Sequence, residues 1–149
     1  MKKLRTEILI QASTEKVWSL LTDRSAYPDW NPFIIAWTGE LRVGEKQQIK
    51  LLPDPEGKPF PISPRLKVKQ EGQEIAWLGH LGIPGLFDGY HYFQLERVGE
   101  GQTRLIHGEH FSGILRRIVM AIVGENTRKG FEAMNQALKE KAERVEAIG

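Results

Sequence analysis

The chain has 149 residues, of which 21 are basic and 19 acidic, and a net charge of +2 gives no electrostatic footprint for nucleic acid. Hydrophobic residues make up 40% and charged residues 27%, which are ordinary proportions for a globular protein, and the length predicts a single domain over residues 1–149. The absence of cysteine excludes disulfides, thiolate catalysis and cysteine metal sites. No segment has the pattern of a signal peptide or the roughly 20 apolar residues of a membrane span, so we expect a cytoplasmic protein without stable membrane insertion.

The first part of the chain predicts one strand followed by two short helices. Residues 4–11 alternate in polarity, with Thr6, Ile8 and Ile10 on one face of the predicted strand. Ser13 is a good N-cap for the helix that follows. A second short helix or turn is expected over residues 23–30, because prolines close that segment.

Strand patterns continue along most of the remaining chain. They predict strands over residues 33–42, 47–52, 65–70, 74–81, 89–98 and 103–111. Residues 53–64 hold five of the eight prolines, so we expect an exposed loop there. The loop at residues 81–87 combines apolar and turn residues, which indicates that it faces a pocket or a partner.

From Ile114 onward, apolar residues recur at helical spacing and predict a long final helix. Its apolar stripe is formed by Leu115, Ile118, Val119, Ile122 and Val123 and is extended with gaps by Phe131, Met134, Leu138 and Val145. Two glycines interrupt the pattern, so we expect either a break near Gly124 or close packing at Gly130. Residues 114–119 also resemble a basic amphipathic membrane contact, but the stripe is the only apolar face this helix has to bury, which favours pocket closure.

The last predicted hairpin carries the most informative polar residues. Alternation places His107, Glu109 and Phe111 on one face of the final strand, and the apolar residues at both ends indicate that this face points inward. Neighbouring strands contribute further side chains to the same face. The concave wall is therefore predicted to contain Trp77, His91, Phe93, His107, Glu109 and Phe111.

Three interpretations of Glu109 remain open from the sequence. It is a buried carboxyl satisfied by a histidine or a backbone donor, or it anchors a ligand or acts as an acid or base in a cleft, or it is solvated because its face has been misassigned. His91 and His107 are either core histidines or ligand contacts. We expect at least one of the two to lie close to Glu109.

Other chemistries have little support in the sequence. His107 and His110 are three residues apart on a strand and point to opposite faces, so we expect no metal site. Ser112 is expected to cap the final helix, and no nucleophile-elbow pattern surrounds it. No phosphate-binding glycine loop is present, and we expect no cofactor.

Several segments resemble one known protein superfamily. They are residues 10–13 with Val17 and Trp18, residues 27–33, Gly89 with His91 and Phe93, residues 101–104, residues 109–113, and residues 130–135 with 137–139. With these segments the chain resembles bacterial stand-alone members of the helix-grip superfamily, called SRPBCC, which includes START lipid-transfer domains, polyketide cyclases and birch-allergen-like proteins. The resemblance implies an α+β fold: a bent antiparallel sheet of six or seven strands wrapped on a long C-terminal helix, with two short helices after the first strand.

The resemblance also implies a hydrophobic chamber between the sheet and the final helix. We expect the protein to bind or carry a hydrophobic small molecule, with Trp30 or Phe33 and the loop at residues 82–87 around the opening. The expected ligand-binding residues are Trp30, Phe33, Trp77, His91, Phe93, His107, Glu109, Phe111, Ile118 and Ile122. The alternatives are a cofactor-free polyketide cyclase or dehydratase that uses Glu109 as general acid or base, and an interaction module like the co-chaperone members.

Overall fold

Eight strands and one long helix dominate the computed structural model of the protein, which describes residues 2–144. The first part contains β1 (Lys2–Ile10), α1 (Thr14–Thr22), a 3₁₀ turn (Arg24–Ala26), α2 (Tyr27–Trp30), β2 (Ile34–Thr38), β3 (Gln48–Leu51) and β4 (Phe60–Ile62). The second part contains β5 (Arg65–Gln70), β6 (Glu74–His80), β7 (Asp88–Gly99), β8 (Gln102–Ser112) and α3 (Arg116–Glu143). The predicted α+β class, with a long C-terminal helix packed on a bent antiparallel sheet, is confirmed.

The strands form two antiparallel sheets that meet at one edge. The larger has the order β1-β8-β7-β6-β5 and the smaller β2-β3-β4. A bridge between Lys46 and Arg65 and a hydrogen bond from Gln47 N to Pro64 O (2.7 Å) link the sheets. The structure has eight strands, one more than the six or seven expected, because β4 lies in the segment 53–64 that was predicted to be a loop. Pro61 is tolerated there because β4 is an edge strand.

The N-terminal ends of the first and last helices were both predicted to be capped by a serine. Ser13 caps α1 as predicted, since its Oγ accepts a hydrogen bond from Lys16 N at 3.1 Å. The prediction that Ser112 caps the final helix is wrong, because Ser112 is the last residue of β8 and α3 begins at Arg116. The backbone amides of Ile114 and Leu115, just before α3, bond to the carbonyl oxygens of Gly85 and Leu86 in the loop between β6 and β7, at 3.0 and 2.8 Å.

The long helix α3 runs for 28 residues without a break at Gly124. Each residue of a helix turns about 100°, so Ile122, nine positions before Phe131, lies about 180° around the helix from it. Phe131, Met134 and Leu138 are buried, whereas Ile118 and Ile122 are 64% and 76% exposed. The stripe predicted for the first half of the helix is thus not buried, and its last predicted member, Val145, lies outside the described residues. Within residues 2–144, no helix is long and apolar enough to cross a membrane.

Close packing at Gly130, one of the two expected outcomes for the helix glycines, is confirmed. A Cβ on Gly130 would lie 2.5 Å from Cδ1 of Phe33. The ring of Phe33 therefore rests on bare helix backbone and contacts Phe131 at a centroid distance of 5.4 Å. This contact fixes the second half of α3 over the concave face of the larger sheet.

Candidate functional site

Strand pairing places the predicted wall residues in two adjacent rows across the larger sheet. In one row, Trp77 of β6 is paired with His91 of β7, and His91 with Glu109 of β8. In the next row, Phe93 is paired with His107. All of these side chains point to the concave side, because side chains two residues apart on a strand share a face.

The centre of this wall is filled by packed rings, which we call the aromatic–histidine cluster. Its members are Phe33, Trp77, His91, Phe93, His107 and Phe131, and each is at most 1% exposed. His91 stacks on Trp77 at a centroid distance of 4.4 Å. His107 stacks on Phe131 at 4.0 Å with an interplanar angle of 7°. The sheet and α3 therefore leave these imidazoles no free ring face.

A chain of hydrogen bonds runs through the cluster from β1 to Glu109. Thr6 Oγ1 donates to the backbone oxygen of His107 at 2.7 Å and accepts from Asn135 Nδ2 at 2.8 Å. Asn135 Oδ1 lies 2.9 Å from His107 Nδ1. His107 Nε2 lies 2.7 Å from His91 Nε2, and His91 Nδ1 lies 3.1 Å from Glu109 Oε1. The prediction that a histidine lies close to Glu109 is confirmed.

Burial keeps the titratable members of this chain uncharged near neutral pH. Loss of solvation lowers the pKa of His91 to about 3. It also lowers the pKa of His107 well below its ordinary value, with the neighbouring His91 as a second cause. The same loss of solvation raises the pKa of Glu109 to about 8. These directions agree, since each favours the uncharged form of its group.

Glu109 is the outermost member of the hydrogen-bond chain. Its side chain is 16% exposed, against 2% for His91. Its carboxyl group lies over Gly89, where a Cβ would come within 3.2 Å of Glu109 Cδ and would overlap Oε2. Beyond it, Phe111 is buried and stacks on Phe87 at 5.6 Å. Glu109 therefore lies between the packed cluster and the part of the wall formed by Phe87 and Phe111, which we call the outer end of the wall.

The first half of α3 buries fewer side chains than the second half. The helix runs antiparallel to β8, because Asn135 contacts His107 while Glu143 accepts a hydrogen bond from Gln11 N at the far end. Helical spacing continues the buried stripe of the second half toward the N-terminus through Thr127, Gly124 and Met120. Within residues 116–129, only Met120 is buried.

The structure brings seven of the ten predicted ligand-binding residues together. These are Phe33, Trp77, His91, Phe93 and His107 in the cluster, with Glu109 and Phe111 beside it. Trp30 lies in α2 and packs on Tyr27 at 5.2 Å. Ile118 and Ile122 point away from the sheet because α3 is continuous. Phe33 is buried beneath Gly130, and so it does not border an opening.

Two members of the hydrogen-bond chain, Thr6 and Asn135, were not among the predicted site residues. Asn135 carries a recognisable signal, since it is a polar residue four positions after Phe131 and three before Leu138 on the buried stripe. Thr6 shares the inward face of β1 with Ile8 and Ile10, and Thr6 is paired with His107. In both β1 and α3, a single polar residue on the apolar inward face is therefore the sequence signal for a partner of His107.

The remaining histidines and serines lie elsewhere. His110 is on the opposite face of the sheet, 5.3 Å from the ring of Tyr92. Among residues 2–144, no group of three histidine, aspartate or glutamate side chains is arranged to hold a metal ion. Ser63 donates to Gln48 at 2.9 Å. In this described part of the chain, no serine hydroxyl bonds to His91 or His107.

Solved structures share this fold. A hypothetical protein from Helicobacter pylori superposes with a TM-score of 0.76 at 15% identity, covering 95% of this chain and 88% of its own. The Zhui aromatase/cyclase from a Streptomyces species gives 0.74 at 18% identity, covering 99% and 98%. A START superfamily protein from Mycobacterium smegmatis gives 0.71 at 20% identity, covering 95% and 97%.

The sequence itself places the chain in a family. No curated protein sequence matches it. The family model described as polyketide cyclase / dehydrase and lipid transport matches residues 1–143, which agrees with the resemblance noted from the motifs. The chain therefore belongs to the polyketide cyclase / dehydrase and lipid transport family.

Proposed function

We propose that this protein binds and carries a hydrophobic small molecule, of the lipid, polyketide or aromatic class, between the first half of α3 and the outer end of the concave wall. The observation that carries the proposal is the position of Glu109. One partly exposed carboxyl group ends a buried polar chain, and the half of α3 before Gly130 buries only Met120. A mostly apolar site with one convergent polar group is the usual form of a small-molecule pocket.

We distinguish the residues around Glu109 that contact the ligand from those that only support the wall. Phe87, Phe111 and Met120 are apolar and lie at the outer end, so in this proposal they contact the ligand. Trp77 and His107 belong to the fully buried aromatic–histidine cluster, so in this proposal they support the wall without contacting the ligand. Glu109 orients the polar end of the ligand.

The apolar rim supports entry of a hydrophobic ligand from this side. The loop between β6 and β7 exposes Leu81 and Ile83, and the segment before α3 exposes Ile114. Hydrogen bonds from the amides of Ile114 and Leu115 to the carbonyl oxygens of Gly85 and Leu86 hold the two segments together. Adjacent exposed apolar residues commonly mark a binding surface or a ligand entrance.

A second candidate is a cofactor-free cyclase or dehydratase. The raised pKa of Glu109 and its contact with His91 favour it, because a carboxyl group that titrates near neutral pH suits proton transfer. The family description includes that activity. Without a nucleophile beside the histidines, the reaction would be limited to enolisation, cyclisation or dehydration.

The binding proposal is tested by filling the space that it requires. Thr127→Trp places an indole on the inner face of α3, whereas Asn126→Trp places the same group on the exposed face. We expect the wild-type protein to bind Nile red, Thr127→Trp to weaken binding by roughly tenfold or more, and Asn126→Trp to bind normally. Equal binding by both variants, or no binding by the wild-type protein, would contradict the proposal. Native mass spectrometry of protein from its own cells would then give the mass of the natural ligand.

A further inference from the structure

The hydrogen-bond chain that ends at Glu109 has a defined direction. The backbone oxygen of His107 can only accept, so the single hydroxyl proton of Thr6 is donated to it. The contact between Thr6 Oγ1 and Asn135 must then be donated by the amide, which places Nδ2 of Asn135 toward Thr6. Oδ1 of Asn135 therefore faces His107, and it requires a proton on His107 Nδ1.

This direction passes through both imidazoles. An uncharged His107 with its proton on Nδ1 has a lone pair on Nε2, so His91 must donate from its own Nε2 across the 2.7 Å contact. An uncharged His91 then has a lone pair on Nδ1. Its hydrogen bond with Glu109 Oε1 therefore needs the proton on the carboxyl group.

The alternative arrangement is an ion pair between a His91 imidazolium and a Glu109 carboxylate. It would place a full positive charge on a ring that is 1% exposed and stacked between aromatic side chains, which burial strongly disfavours. Among the described residues, no lysine or arginine forms an ion pair with Glu109: His91 faces it from β7, and Leu4 is its partner on β1. The lowered pKa of His91 and the raised pKa of Glu109 agree with the uncharged form.

We propose that this chain holds Glu109 as an uncharged carboxylic acid whose Oε2 accepts a hydrogen bond from an uncharged hydroxyl group, an alcohol or a phenol, on the bound molecule. The inference rests on the proposed function and adds the chemistry of the ligand's polar end. Thr6 and Asn135 act as positioning residues in it, since they set the protonation of Glu109 through the two histidines and do not contact the ligand.

The choice of a hydroxyl follows from what Glu109 can offer. Its proton is used on His91, and no donor among the described residues lies within bonding distance of Oε2, which rests over the bare backbone of Gly89. A carbonyl-like oxygen accepts a hydrogen bond but has no charge to compensate a desolvated ammonium group. A ligand carboxylate would likewise be left unpaired. Without a free lone pair of sufficient basicity, the acid form is also a poor general base.

The protonation states can be measured directly in the ligand-free protein. Nuclear magnetic resonance of isotope-labelled histidine at neutral pH should show His91 protonated only at Nε2 and His107 only at Nδ1. Labelled glutamate should show Glu109 protonated at pH 6.5, with Glu109→Gln assigning the signal. A doubly protonated His91, or an ionised Glu109 at that pH, would overturn the inference.

A matched pair of variants tests the role of Thr6. Thr6→Val removes the hydroxyl that fixes Asn135, which allows the amide to turn over and the whole chain to reverse. We expect both histidine tautomers to exchange and the pKa of Glu109 to fall, whereas Thr6→Ser should keep the wild-type pattern. Unchanged tautomers in a folded Thr6→Val protein would contradict the role of Thr6. The wild-type tautomers decide the main inference even if Thr6→Val does not fold.

The ligand class is tested with three naphthalene probes that differ only in the polar group. At pH 6.5 we expect naphthalene methanol to bind roughly tenfold or more tightly than the corresponding ammonium and carboxylate compounds. Preference for either charged probe would overturn the ligand class while leaving the proposed binding function in place. If the tautomers are as assigned but no probe binds, the proposed function fails and the ligand class falls with it.

Discussion

The imidazole rings of His91 and His107 meet through their Nε2 atoms, which lie 2.7 Å apart. At that distance one nitrogen must donate and the other accept, so the two rings cannot both be protonated on Nε2. Stacking on Trp77 and Phe131 prevents either ring from turning away. The histidines are therefore core residues that connect Asn135, on the buried face of α3, with the carboxyl group of Glu109.

The close approach of Glu109 to Gly89 predicts the effect of a single methyl group. Gly89→Ala would overlap Oε2 of Glu109, so the whole carboxyl group must move and the bond between its Oε1 and His91 is lost. We expect a loss of about 1–3 kcal/mol in unfolding free energy, measured by denaturant titration. Gly99→Ala is the control on the same strand, because its Cβ meets nothing closer than 3.9 Å. Equal effects of the two substitutions would refute the packing of Glu109 on Gly89.

The shifted pKa values predict a maximum of stability near pH 6.5. Between about pH 4.5 and 6.5, the unfolded state binds up to two histidine protons that the folded His91 and His107 do not bind. They outweigh the one proton that only the folded Glu109 keeps, so stability rises with pH. Above about pH 6.5 the proton on folded Glu109 outweighs those that remain on the unfolded histidines, and stability should fall by roughly 0.5–1 kcal/mol between pH 7 and 8.

The variant Glu109→Gln isolates the alkaline half of that profile. Glutamine cannot titrate, yet its amide can donate to His91 as the acid does. The fall in unfolding free energy between pH 7 and 8 should disappear in the variant, while the rise toward pH 6.5 remains. A wild-type protein whose stability stays flat or increases from pH 7 to 8 would show that Glu109 is ionised when folded.

Replacing each of two glycines of α3 by alanine should change the stability of the protein in opposite directions. At Gly130 the added Cβ would lie 2.5 Å from Phe33, inside the core, so Gly130→Ala should destabilise the protein by about 1–3 kcal/mol. At Gly124 the nearest atom is the flexible Met120 Cε at 3.3 Å, and Gly124→Ala should stabilise the helix by up to about 1 kcal/mol. Thermal melts compare the two. Destabilisation by Gly124→Ala would mean that the first half of α3 packs more tightly than described.

The two faces of the first half of α3 should also differ in mutational effect. Ile122 is exposed, so Ile122→Ala should change the unfolding free energy by less than about 0.5 kcal/mol and leave Nile red affinity unchanged. Met120 is buried on the inner face, and Met120→Ala should lower both stability and affinity. If Ile122→Ala alone weakens dye binding, the ligand lies on the outer face.

Much of the fold could be predicted from local patterns. The alternation at residues 4–11 and in the last hairpin placed Thr6, His107 and Glu109 on inward faces, because side-chain direction along a strand has a period of two. The cap at Ser13 and the close packing at Gly130 are similarly local signals. Those predictions needed only short stretches of sequence and the common geometry of strands and helices.

The predictions that were wrong or missing concern features that depend on how distant parts of the chain pack together. The apolar stripe of the final helix was followed across Gly124 as one face, yet nine residues of continuous helix separate Ile122 from Phe131 by about half a turn. Which residues complete the hydrogen bonds of His107 depends on how α3 crosses β1 and β8. The polar residue on the buried stripe marks Asn135 locally, but no local pattern shows that its partner is His107.

The proposed ligand position is tested most directly by the contacts of a bound molecule. Intermolecular nuclear Overhauser effects can be measured between the naphthalene methanol probe and the methyl groups of α3. We predict effects to the methyl group of Met120 and to the ring protons of Phe111, with none to the methyl groups of Ile118 and Ile122. Effects confined to Ile118 and Ile122 would place the molecule on the outer face of the helix and contradict the account.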